Sequence, residues 1–100
     1  MYRWLSEYKT KARFFDVLED AVSMLNQRLS ERQDGYIENI RAQLLAVKDY
    51  LKGGNVLTSD MIHRYFDFGG YAVKNLEADD ELSLRLQDLY EGLYNFYQYR

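Results

Sequence analysis

The chain has 100 residues, 47% hydrophobic and 29% charged, a balance that excludes intrinsic disorder and suffices for one core without metal or disulfide support. It carries no cysteine, which excludes disulfide and thiol chemistry, and its formal net charge of -3 is uneven. Residues 1–52 hold nine Lys/Arg against eight Asp/Glu (+1) and residues 53–100 four against eight (-4), so the acidic half disfavours nucleic-acid binding and favours a basic partner.

The first segment, from Tyr2 to about residue 32, is the longest periodic stretch. Trp4, Tyr8, Phe15, Leu18, Val22, Leu25 and Leu29 recur at alternating spacings of four and three, with Lys11 in the one position of the stripe that is not apolar. Phe14, Val17, Ala21 and Met24 form a second apolar row, so this helix is expected to be central, packed against two neighbours. The periodic part, roughly Tyr2 to Leu29, would span about 42 Å, longer than the other elements, and a kink or frayed start is expected. Asp34-Gly35 closes it, although Ser30-Glu31-Arg32-Gln33 also reads as a capping box that would start the next helix earlier.

A second helix over residues 36–52 carries Ile37, Ile40, Leu44, Val47 and Leu51 on one face and stops at Gly53-Gly54. Residues 55–58 are a loop, and Thr58 or Ser59 caps a third helix over 59–77. Ile62, Tyr65, Phe66, Gly69, Val73 and Leu76 share a face if that helix runs through Gly69-Gly70. The two glycines cost roughly 2 kcal/mol against alanine, and they either break the segment or let a neighbouring helix approach closely. The unbroken phase favours a continuous helix with a weak middle.

The last helix, over 80–98, puts Leu82, Leu86, Leu89, Leu93 and Phe96 within about 80° of arc. Asp79 or Asp80 caps it, Tyr90 and Tyr97 flank the leucine face, Tyr94 lies further round and Leu84 falls opposite. Short connections between amphipathic helices predict an all-α fold, a single-domain four-helix antiparallel bundle over residues 1–100. A coiled-coil dimer through the seam of the first helix is the rival, and the short loops favour a monomer. No apolar run approaches about 18 residues and no signal-peptide core opens the chain, which predicts a cytoplasmic protein that does not contact membranes.

No set of residues has the spacing that catalysis or a cofactor needs. His63 and Asp67 are helix neighbours four apart, which reads as a surface pair, since no nucleophile converges on them. Asp60-x-x-His63 occurs once, where helical di-metal sites repeat Glu-x-x-His, and Glu77-Ala-Asp-Asp-Glu81 lacks the central glycine of a calcium loop. Neither glycine pair is followed by Lys-Ser/Thr, so no phosphate loop exists. The expectation is no catalytic residue, no metal and no cofactor.

Arg3, Lys9, Lys11 and Arg13 stand among Tyr2, Trp4, Tyr8 and Phe14, a pattern able to meet RNA or an anionic membrane surface. Those rings follow the core phase of the first helix, however, so a buried aromatic seam accounts for them better. Lys11 then lies at a core margin with its ammonium in water.

The acidic set Asp67, Glu77, Asp79, Asp80 and Glu81 lies beside Tyr71, Tyr90 and Tyr94 on faces the core phase leaves open, with Leu84 exposed nearby. Capping and solubility explain part of it. The combination reads as a docking surface: carboxylates speed encounter with a basic cleft, and aromatic rings slow dissociation.

In size, acidity and helical plan the chain resembles the small helical immunity proteins that neutralise bacterial contact-dependent or polymorphic toxins, particularly those guarding nucleases. The nearest local match runs from Ile62-His-Arg-Tyr-Phe-Asp67 through Leu76 into the acidic turn and the last helix. The resemblance implies a cognate toxin domain, an RNase or DNase, as partner, and assigns no individual residue. A regulatory or adaptor bundle is the alternative, followed by an RNA or membrane binder using the Arg3–Arg13 end.

Overall fold

The protein is described by a computed structural model covering residues 10–77 and 79–98, apart from the side chain of Tyr71. Helix starts follow the capping chemistry. Thr10 Oγ1 accepts the Arg13 N–H at 3.0 Å and opens α1 (Lys11–Glu31). Asp34 accepts the N–H groups of Tyr36 and Ile37 and opens α2 (Gly35–Lys52). The capping-box alternative is not used: the Ser30 hydroxyl donates back to the Gln27 carbonyl at 2.6 Å. After Lys52 the chain turns through Gly54, whose φ of +80° suits glycine.

Thr58 caps α3 (Ser59–Tyr65) by accepting the Met61 N–H. Here the expectation of one helix over 59–77 is corrected. The helix ends at Phe66 and restarts as α4 (Phe68–Asn75), with Asp67 between, so the break precedes the glycine pair. The reason is the core. A single helix in the expected phase would bury Tyr65 and Val73, which instead stand 63% and 64% exposed. The break rephases the chain so that Phe68 and Ala72 go in, both fully buried. The chain then enters α5 (Glu81–Asn95), capped by Asp80, and ends in a 3-10 turn (Phe96–Gln98).

Among the described residues every regular element is helical, so the fold is all-α. α1 runs antiparallel to α2, as Asn26–Arg41 (3.0 Å) and Glu19–Lys48 (2.5 Å) show, and antiparallel to α5, as Arg28–Asp80 (2.6 Å) and Asp20–Arg85 (3.2 Å) show. α5 touches α1, α3 and α4, and α2 also touches α4. Four rods were expected; the third is α3 and α4 in sequence.

Both apolar rows of α1 are buried: Leu18, Val22 and Leu25 from the seam, Phe14, Val17 and Ala21 from the second row. They meet α2 and α5 within the chain, so this part of the seam is not offered to a coiled-coil partner. Residues Tyr2, Arg3, Trp4, Tyr8 and Lys9 lie outside the described residues. Lys11 is exposed, its Nζ 5.5 Å from the centre of the Phe96 ring, a cation–π contact at the edge of the Phe14–Phe15–Phe96 cluster.

Candidate partner-binding surface

The acidic residues part into engaged and free ones. Asp80 Oδ1 accepts the Leu82 N–H at 2.9 Å and the Arg28 guanidinium at 2.6 Å, locking the start of α5 to the end of α1. Burial by itself raises its carboxyl pKa, but the bond from Arg28, the bond from Leu82 and the guanidinium charge together hold it below the usual 3.8. Glu81 pairs with Arg85, which also reaches Asp20 of α1. These two carboxylates, expected on the docking surface, are tied into the bundle. Asp67, Glu77 and Asp79 are exposed and have no ion pair among the described residues.

The His63–Asp67 pair does not form. The two were expected four apart on one helix, and α3 ends between them; Arg64 pairs with Asp60 instead, at 3.3 Å. No group of three or more His, Asp or Glu side chains converges among the described residues.

The tyrosines also part. Tyr90 was expected to face outward, and it is half-buried. Its ring meets Phe68 edge-on (centroids 5.5 Å apart, planes at 83°) and lies over Gly69, where an added Cβ would come within 2.6 Å of Tyr90 Cγ. Here a glycine does permit close helix approach, the second of the two roles considered for the pair. Burial pushes the Tyr90 phenol well above its ordinary 10.0, helped by the hydrogen bond with Tyr94 (3.2 Å) and by the negative charges of Tyr94 and Asp67. Tyr94 is 40% exposed and packs edge-on against Tyr90. Tyr71 is in α4, but its side chain lies outside the described part. Leu84 is half-buried.

The expected residues therefore do not make one compact patch. Asp67, Tyr90 and Tyr94 come together where α4 begins. Glu77, Asp79, Asp80 and Glu81 sit at the opposite end of α5, about 20 Å from Tyr94 along its axis. Leu84 and Tyr94 share one outer stripe of α5, with Gln87 and Glu91 between them.

Two residues escaped the sequence analysis. Tyr36, 56% exposed, lines a cleft of about 330 Å³ with Asp67, Gly70, Lys74 and Asn75. Its signal was available: it lies off the Ile37–Ile40–Leu44 face in the first turn of α2. Asp88, only 6% exposed on the side of α5 away from its leucines, has no signal in the spacing. Tyr97, expected at the margin of the leucine face, ties down the loop before α3, its hydroxyl accepting the Leu57 N–H (2.9 Å) and donating to the Asn55 carbonyl (2.8 Å).

Among the described residues the fold is an all-α bundle that carries unpaired carboxylates and exposed aromatic rings on its outer surface. Comparison with known proteins narrows this. The family model of Tsi6 matches residues 14–95, and the chain belongs to that family of immunity proteins from type VI secretion toxin–immunity pairs. A toxin is the partner of such a protein, and toxin immunity is its role at that level. No curated protein and no solved structure matches the chain. No helix among the described residues is long and apolar enough to cross a membrane.

Proposed function

We propose that this protein neutralises one cognate toxin domain by stoichiometric, non-catalytic occlusion of a basic cleft. It acts as a monomer in the cytoplasm, and the toxin is a nuclease, as the resemblance implies. The family match over residues 14–95 carries the immunity role. The docking surface rests on Asp67, Glu77 and Asp79, which are exposed and unpaired, and on Tyr94, with Tyr90 buttressing it from below. Carboxylates imitate the phosphates such a cleft accommodates, and the ring buries against its rim. Asp80 serves the surface indirectly, by holding α5 to α1 through Arg28, and Glu81 by pairing with Arg85, which reaches Asp20 of α1.

The test is growth rescue on co-expression with the toxin domain encoded beside the gene, followed by binding kinetics with the purified pair. Glu77→Lys/Asp79→Lys slows association, and Tyr94→Ala speeds dissociation. Unchanged affinity in both variants, with helicity intact, rejects the surface. Failure of the wild-type chain to protect rejects the immunity role for that toxin. A toxin that cleaves neither RNA nor DNA removes the nuclease part alone.

A further inference from the structure

The cleft between the first turn of α2 and α4 has a chemistry of its own. Several exposed acids of the bundle are engaged: Glu19 with Lys48, Asp20 and Glu81 with Arg85, Asp60 with Arg64. Asp67 is not. It makes no side-chain capping bond to α4, and its carboxylate lies over Gly70, where an added Cβ would come within 2.7 Å of Oδ1. Gly70 thus leaves room for a free carboxylate at the mouth of a cleft whose other wall is the half-exposed ring of Tyr36.

We propose that this cleft is the socket for one arginine side chain of the toxin, its guanidinium forked onto the Asp67 carboxylate and stacked on the Tyr36 ring. The inference rests on the immunity reading and names the anchor by which the partner is held. Arginine fits better than lysine because its planar fork matches a carboxylate and its face matches a ring, whereas an ammonium is a hydrated point charge. A volume of about 330 Å³ accommodates one long side chain with some water.

Lys74 lines the same cleft, two helical turns or about 10 Å beyond Asp67 along α4. Its charge opposes a cationic guest from a distance and biases the guanidinium toward the Asp67 end. That opposition yields a discriminating test.

Binding of the toxin domain is measured for the wild-type chain and for Asp67→Asn, Tyr36→Ala and Lys74→Glu, with helicity checked in each. Loss of a charge-assisted bond weakens Asp67→Asn binding about 10- to 100-fold, and loss of the ring weakens Tyr36→Ala about 5- to 30-fold. Lys74→Glu tightens binding. One toxin arginine, replaced by alanine, removes the further effect of Asp67→Asn, as coupled partners must. The socket is overturned, and the immunity role left standing, if wild-type binding is intact while Asp67→Asn and Tyr36→Ala bind equally well. Weakened binding by Lys74→Glu also overturns it, since the guest is then an anion. A wild-type chain that binds no toxin overturns both.

Discussion

Replacing Gly69 by alanine should weaken the fold, although alanine is the better helix former. The added Cβ would lie 2.6 Å from Tyr90 Cγ and 2.8 Å from Tyr90 Cβ and Cδ2. Carbon atoms rest about 3.5–4.0 Å apart, so α4 and α5 must separate by about 1 Å. The atoms in the way are the root of the ring, which no change of rotamer removes, and the ring is already held edge-on by Phe68. Overpacking of this kind costs about 1–3 kcal/mol, and a disturbed aromatic pair about 1 kcal/mol more. Against this stands a helix-propensity gain of at most about 1 kcal/mol. The net loss of about 1–3 kcal/mol lowers Tm by on the order of 5–20 °C for a domain of this size.

Gly70→Ala is the matched control. It offers the same propensity gain, but its Cβ meets the far end of the Asp67 side chain, which can swing away. Its stability should equal or exceed the wild type by up to about 1 kcal/mol, while toxin binding weakens because the Asp67 carboxylate is displaced. Circular-dichroism urea melts of both variants decide the matter. Equal stability of the two, or a Gly69→Ala variant as stable as the wild type, would refute the steric account. In a Tyr90→Ala background, Gly69→Ala should turn neutral or stabilising.

Asp80→Asn should cost about 1–2 kcal/mol at neutral pH, where it loses the Arg28 pair but keeps a capping side chain. Because the folded carboxyl titrates below its ordinary 3.8, its contribution is complete above that value and disappears as pH falls through the folded one. Urea melts across the acid range should therefore show the gap between variant and wild type closing. At the alkaline end, the raised Tyr90 phenol stabilises the fold below the ordinary tyrosine value of 10.0, and this is lost as pH climbs toward the folded value. Tyr90→Phe should flatten the alkaline fall in Tm, and a phenolate absorbance titration should lose one late-ionising group. Tyr97→Phe removes the partner of the Leu57 N–H and should cost about 1–2 kcal/mol, with faster hydrogen exchange at the Leu57 amide as the local readout.

The helical class and most of the core were legible in the chain because one-dimensional periodicity and capping chemistry act locally. The leucines of α5, the two apolar rows of α1 and the Asp34, Thr58 and Asp80 caps needed only their near neighbours to be located. The end of α3 was not legible, because it depends on which of Phe68 and Val73 finds a hole in a core built by other helices. The proposed docking surface was legible in residue type and not in arrangement. A carboxylate looks the same in sequence whether Arg28 has reached it, as at Asp80, or nothing has, as at Asp67.

Composition and spacing by themselves determined that this chain is an acidic, cysteine-free assembly of amphipathic helices. Only the tertiary structure decided which carboxylates stay free, how far Tyr90 is drawn inward and that Tyr36 opens onto Asp67. Those outcomes depend on contacts between residues far apart in the chain, such as Arg28 with Asp80, 52 positions apart, and no local pattern encodes them.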